Sequence, residues 1–174
     1  MTRPALVLAL LLLAAPAHAM QLTSPDFANG SALSLRQVKC GGSNVSPALQ
    51  WGGEPGSTKS FALTVFDSDA RGGSGWWHWI VLDIPAAVHE LASGAGNGSG
   101  MPAGAVQGTN DFRGRDYGGP CPPPGSGEHH YRFTLWAMPS AGVPLAADAD
   151  PEAVGQYLAS HALDKVELVG IYQH

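Results

Sequence analysis

The stretch Phe61–Ile84, FALTVFDSDARGGSGWWHWIVLDI, decides the fold. Phe61 to Phe66 is apolar at nearly every position, the pattern of a strand buried on both faces. It runs into Asp67 and Asp69. Their spacing of two points both carboxylates the same way while the backbone stays extended. Arg71-Gly72-Gly73-Ser74-Gly75 then releases the chain, and Trp76, Trp77, His78 and Trp79 open a second strand, His78 to Ile84. Two acids at the end of one buried strand and a histidine at the start of the next make a candidate site.

Working outward, His129 to Met138 alternates as a third strand. Tyr131, Phe133, Leu135 and Ala137 share one face, with His129 on the same side, and Thr134, Trp136 and Met138 share the other. His130 points away from His129. Asp150-Pro151-Glu152 gives a capping residue, a proline at the first helical position and an acid in the first turn. Val154, Tyr157, Leu158, His161 and Ala162 follow at helical spacing, which predicts a helix over Asp150 to Leu163. Lys165 to Tyr172 closes the chain as a strand. Upstream, Ser24-Pro25 and Asn29-Gly30 read as turns between short strand-like pieces. Pro85 to Glu128 is mostly loop. Order and disorder are equally open for Ser93 to Gly104, while Phe112, Tyr117, Cys121 and the prolines 120 and 122–124 make Asp111 to Pro124 a stiff wall. Short strands, long loops and one late helix predict a mostly β chain, an antiparallel β-sandwich.

The N-terminus is not read as part of that fold. Arg3, the apolar run Ala5 to Ala15 and Ala17-His18-Ala19 match a secretory signal peptide, residues 1–19. The run is short for a membrane span, which takes about 20 apolar residues. Residues 20–174 then form a single exported domain, periplasmic or secreted. The chain carries 14 acids against 9 Lys and Arg, a net charge of −5, without basic clusters. That balance argues against nucleic-acid partners, and any anion site must be built locally. Cys40 and Cys121 are the only cysteines. In an oxidising compartment a Cys40–Cys121 disulfide is the default, and neither lies in a Cys-x-x-Cys pair that would suggest metal.

Asp67, Asp69, His78, His129 and Tyr131 all fall at strand ends. Two imidazoles, a phenol and loop N–H groups suit an oxyanion such as phosphate, sulfate or a carboxylate. A strand-end histidine taken alone is more often structural, and Asp67 and Asp69 also suit turns. No metal is expected, since no His-x-His or His-x-x-x-His pair occurs, and no other cofactor is implied. The competing reading is a hydrolase using His78 and Asp67, with or without a metal. No Gly-x-Ser-x-Gly elbow supports it, and Gly125-Ser126-Gly127 reads as plain loop.

Five segments occur in order: Ser46-Pro47-x-Leu49-x-Trp51, Asp67-x-Asp69-Ala70, Trp76-x-His78-Trp79, Tyr117-Gly118-Gly119-Pro120-Cys121-Pro122-Pro123, and His129-His130-Tyr131. Together they resemble the phosphatidylethanolamine-binding protein family, in particular its bacterial Raf-kinase-inhibitor-like branch, from about Leu22 to Tyr172. The resemblance implies a β-sandwich with a small pocket for phosphorylated headgroups and other anions. It implies Asp67, Trp76, His78, Gly119, Pro122, His129 and Tyr131 as ligand-binding residues, with none catalytic. It further implies a ligand-binding, modulatory role, with kinase or protease inhibition in some relatives. The glycine-rich loop Ser93 to Gly108 is the candidate contact surface for such a protein partner. In the expected site, Asp67 orients an imidazole while His78, His129, Tyr131 and an N–H near Gly119 donate to the anion. Anion binding then tightens as pH falls from about 8 towards 6. Three residues depart from the family pattern: Ser68 and Arg71 stand where prolines are usual, and His130 where an arginine is.

Overall fold

The computed structural model describes residues 19–98 and 100–174. The expected signal peptide lies outside the described residues, apart from Ala19. Among the described residues nine strands form two sheets: β1 (Gln21–Thr23), β2 (Ser31–Ala32), β3 (Leu49–Gly52), β4 (Ser60–Asp67), β5 (Trp76–Pro85), β6 (Glu90–Leu91), β7 (Val106–Gln107), β8 (His129–Met138) and β9 (Asp164–Tyr172). The small sheet runs β1-β3-β6 and the large one β2-β9-β8-β4-β5-β7. The chain is thus mostly β, with two sheets and little helix. All pairings are antiparallel except β2 against β9, which is parallel.

β4 lies at the centre of the large sheet, between β5 and β8, so both of its faces are covered. Phe61, Leu63 and Val65 enter the main apolar core, which also takes Leu22, Leu49, Trp51 and Leu91 from the small sheet. Ala62 faces a second cluster with Ile80, Leu82, Trp136 and Met138, closed by Val154 and Leu158 of the helix α1 (Pro151–His161). Thr64 is tolerated there because its hydroxyl accepts the Trp136 Nε1–H at 3.0 Å. A buried hydroxyl without such a partner is destabilising.

Asp150 caps α1 as its sequence predicts, accepting the N–H groups of Glu152 and Ala153 at 3.0 and 3.3 Å. The helix stops at His161, not Leu163. Leu163 instead donates its N–H to the Ala137 carbonyl, so the chain is already joining the sheet. Four short elements were not legible in the sequence: the strands β6 and β7 within the expected loop Pro85 to Glu128, a helical turn at Ala70–Gly73 and, last, a 3-10 turn at Ala95–Asn97. The 3-10 turn orders the middle of the Ser93–Gly104 loop, where Ser46 accepts the Gly96 N–H and Tyr117 donates its N–H to the Gly96 carbonyl.

The β4–β5 register carries the site. Val65 pairs with Trp79 and Phe66 with Trp77, so His78 is the extra residue of a bulge. Bulges re-aim side chains at sheet ends. One residue on, Asp67 sits opposite Trp76 on one side and Tyr131 on the other. Three distant segments therefore meet at one end of the sheet.

Candidate functional site

At that end lies a cavity of about 590 Å³ lined by Asp67, Trp76, His78, Pro122, His129 and Tyr131 among others. Gly119, the remaining expected site residue, is not in its wall. Its N–H is spent on the Asn44 side-chain carbonyl at 2.7 Å. A Cβ at Gly119 would collide with the Gln37 carbonyl oxygen. Glycine is required there for close packing behind the wall, so the expected N–H donor at Gly119 is corrected. Cys121 lines the cavity instead. Pro120, Pro122, Pro123 and Pro124 have no N–H, so Cys121 supplies the only backbone donor of that run.

Asp67 is the hub. Its Oδ1 accepts the N–H groups of Asp69 and Ala70 at 2.9 and 3.1 Å, and its Oδ2 accepts His129 Nδ1–H at 2.7 Å. The first pair folds the chain into the Ala70–Gly73 turn, so Asp67 caps a turn and orients a histidine at once. That turn ends the extended backbone, and Asp69 swings outward. Asp69 meets the N–H and Nδ1 of His130 at 2.8 and 2.9 Å, while still lining part of the cavity. The two acids do not share a direction, because the strand has ended between them. Burial works against the charged form of Asp69, but its bonds to His130 hold its pKa below the usual carboxylate value.

His78 plays a different part from the one its sequence suggests. Its Nδ1 lies 2.6 Å from the Gly118 carbonyl, so Nδ1 carries the proton of the neutral ring. Nε2 is then a lone pair, 4.0 Å from Asp67 Oδ2. Burial drives the ring pKa down to about 4, against the opposing pull of the Gly118 carbonyl and Asp67. At neutral pH His78 therefore accepts and does not donate. Asp67 is not its orienting acid either, which removes the geometric basis for a His78–Asp67 hydrolase.

The uncommitted donors lie elsewhere. Tyr131 is 1% exposed, and its hydroxyl has no hydrogen-bond partner among the described residues. Burial, then the neighbouring Asp67 carboxylate, push the phenol pKa up, so it remains an O–H donor. Arg71 lines the mouth, with its guanidinium 4.0 Å from the Trp76 ring centre and no acidic partner among the described residues. Its backbone is left-handed, with φ 51° and ψ 38°. A proline could not take that conformation, since its ring fixes φ near −65°. Arg71, Phe112, Cys121, Pro123 and Ser126 line the cavity without having been expected there. The spacing offered a signal only for Arg71, which directly follows the Asp-x-Asp-Ala run.

The wall is held by amides that the sequence reading passed over. Asn44 and Asn97 both donate to the Tyr117 carbonyl, and Asn110 donates to the carbonyls of His78 and Asp116. Tyr117, fully buried, donates its hydroxyl to the Gln37 carbonyl. The Cys40–Cys121 disulfide is present, with Cα atoms 4.9 Å apart, and ties the wall to the first loop.

The chain matches the family described as Phosphatidylethanolamine-binding protein over residues 23–173. It is 43% identical to the UPF0098 protein YbcL of Escherichia coli K12, over 96% of this chain and 94% of that protein. It is 38% identical to LppC of Mycobacterium tuberculosis, whose name calls it a lipoprotein, over 90% of this chain and 74% of that one. The crystal structure of E. coli YbcL, described as a new member of the mammalian PEBP family, superimposes with a TM-score of 0.85 at 42% identity. It covers 89% of this chain and 98% of that one. A phosphatidylethanolamine-binding protein homologue from Chlamydia trachomatis gives 0.74 at 32% identity, covering 90% and 99%. The same end-of-sheet cluster that its sequence motifs pick out thus sits in a shared fold, and the chain belongs to the phosphatidylethanolamine-binding protein family.

Proposed function

We propose that the protein is an exported binder of small phosphate-type anions, with the cavity around Tyr131 as its site. One observation carries this reading: a buried Tyr131 hydroxyl without a partner among the described residues lines a cavity that also takes Arg71, which has no acidic partner among them. Buried donors are almost always bonded, and one left open beside a cavity is suited to a ligand. Arg71 and the Cys121 N–H add a charge and a second donor. The apolar walls, Trp76, Phe112 and Pro122, keep water scarce and strengthen each bond.

His78 Nε2 and Asp67 Oδ2 refine the ligand class. Both accept, and they lie 4.0 Å apart. A fully ionised anion meets two lone-pair groups there. A phosphate or phosphomonoester that keeps one proton turns its P–OH towards them and its charged oxygens towards Tyr131 and Arg71. A phosphorylated headgroup or a free phosphate fits equally. The export reading rests on the N-terminal pattern, and the lipoprotein name of LppC agrees with it. Among the described residues no helix is long and apolar enough to cross a membrane. A protein partner, such as a kinase or protease, remains the family-based extension of this reading, with the Ser93–Gly108 loop as its contact.

Calorimetric titration at pH 6 with phosphate, phosphoethanolamine and sulfate tests the site. Phosphate and phosphoethanolamine bind more tightly than sulfate, which has no proton to offer. Tyr131→Phe and Arg71→Ala each weaken binding several-fold. Equal affinities for all three anions reject the protonated-ligand refinement, and unchanged affinity in both variants rejects the site.

A further inference from the structure

We propose that Ser126 is a nucleophile, with His129 as its base and Asp67 as the orienting acid, and that it transfers acyl groups from small activated esters. Ser126 Oγ lies 3.0 Å from His129 Nε2, and His129 Nδ1 lies 2.7 Å from Asp67 Oδ2. Those two contacts are the nucleophile–base and base–orienter bonds of a serine triad. The proton on Nδ1 faces an acceptor carboxylate, so in the neutral ring Nε2 is the lone pair that faces the hydroxyl.

The parts are held in place. Asp67 and His129 are 3% and 5% exposed. The second Asp67 oxygen is pinned by two backbone N–H groups, so the carboxylate cannot turn away. Gly125 and Gly127 stand at φ 78° and 90°, the left-handed region, on either side of Ser126. Side chains rarely adopt it, and that double turn brings the serine back over a histidine only three residues away. Ser126 is exposed and lines the cavity, so it is reachable. Its hydroxyl is also 2.8 Å from the Pro123 carbonyl. The single proton passes between that carbonyl and Nε2 by rotation about Cβ–Oγ.

The cavity supplies the rest of the reaction. The Tyr131 hydroxyl and the Cys121 N–H are donors for an oxyanion, and Trp76, Phe112 and Pro122 accept a short acyl or aryl group. Oγ attacks the ester carbonyl carbon as its proton moves to His129 Nε2. The tetrahedral intermediate collapses by breaking the bond to the leaving oxygen, which takes that proton. Water then attacks the acyl carbon, giving its proton to Nε2, and the Ser126 Oγ–acyl bond breaks as Oγ recovers it. The products are the acid and the alcohol, and no oxidant or metal enters the balance.

The test uses residues 20–174 with an alkyl fluorophosphonate, which forms an Oγ–P bond and releases fluoride, and with 4-nitrophenyl acetate. One adduct per chain is expected, mapped by mass spectrometry to Ser126 and absent in Ser126→Ala. Ester hydrolysis above the buffer rate is lost in the same variant. Asp67→Asn and His129→Gln, where folded, label more slowly by orders of magnitude, up to about 10⁴-fold, as loss of a triad member implies. Wild type against Ser126→Ala decides the proposal without them, since Ser126 is an exposed loop residue. No adduct, an adduct at another residue, or equal hydrolysis in Ser126→Ala overturns it. The readout is a covalent bond and is independent of whether the cavity binds phosphate.

Discussion

His78 donates its Nδ1–H to the carbonyl of Gly118 across 2.6 Å, and this contact sets the polarity of the whole site. A carbonyl can only accept, so the ring is fixed as the tautomer with a bare Nε2. The histidine that looked like a donor to an anion becomes an acceptor beside Asp67. In the proposed anion site, donation then falls to Tyr131 and Arg71, with the backbone of Cys121 in the same wall.

The same contact has a consequence for acid stability. The folded pKa of His78 is about 4, below the unfolded value of 6.5. Between those values the unfolded chain binds the extra proton, so stability is full above pH 6.5 and falls as pH drops towards 4. The shift corresponds to at most about 3 kcal/mol. Urea unfolding at pH 7 and pH 4.5 should show that loss. His78→Asn keeps an N–H near Nδ1 but cannot titrate, and should flatten the profile over this window. An unchanged slope in the variant assigns acid lability to other groups.

The disulfide makes a second prediction. Its cysteines are 81 residues apart. The chain-entropy model assigns such a closure roughly 4.5 kcal/mol, an upper figure. Reduction should lower the unfolding free energy by up to that amount. Because Cys121 lies in the cavity wall, reduction should also weaken phosphate binding in protein that is still folded. Two reactive thiols in unreduced, denatured protein would show that the bridge does not form.

Gly119 gives a prediction that separates packing from binding. A methyl group there meets the Gln37 carbonyl and crowds the Asn44 side chain. Overpacking of this kind costs about 1–3 kcal/mol. Gly119→Ala should therefore lower the melting temperature, and any loss of affinity should follow from the displaced wall. A variant of wild-type stability that fails to bind would return Gly119 to the ligand contacts.

Periodicity carried the strands well, because β4 is buried on both faces and β8 alternates cleanly until the helix covers its second face. Convergence of Asp67, Trp76, His78, Pro122, His129 and Tyr131 was legible from the motifs and their strand-end positions. Roles were less legible. The sequence cannot show that His78 falls in a bulge, which depends on the β4–β5 register, nor which nitrogen meets Gly118, which depends on a loop forty residues away. Asp69 was misjudged because two Asp67 bonds to backbone N–H groups end the strand, an event set by side-chain geometry. Ser126 looked like loop because its partner His129 becomes visible only when two left-handed glycines fold the chain back.

Tyr131 gives the sharpest prediction, because stability and binding should move in opposite directions. Its hydroxyl is buried and without a partner among the described residues. An unmade buried bond costs about 1–3 kcal/mol. Tyr131→Phe removes the orphan oxygen and keeps the ring that packs edge-on against His78, with centroids 5.1 Å apart. Without ligand the variant should be more stable than wild type by about 1 kcal/mol, at the low end of that range. With phosphate present the order should close or reverse, because only wild type gains the ligand bond and its linkage stabilisation. Melting curves of both proteins, with and without saturating phosphate, measure both effects in one experiment. A variant that is less stable in both conditions would mean that the hydroxyl already has a structural partner. A variant stabilised by phosphate as much as wild type would mean that the ligand does not reach it.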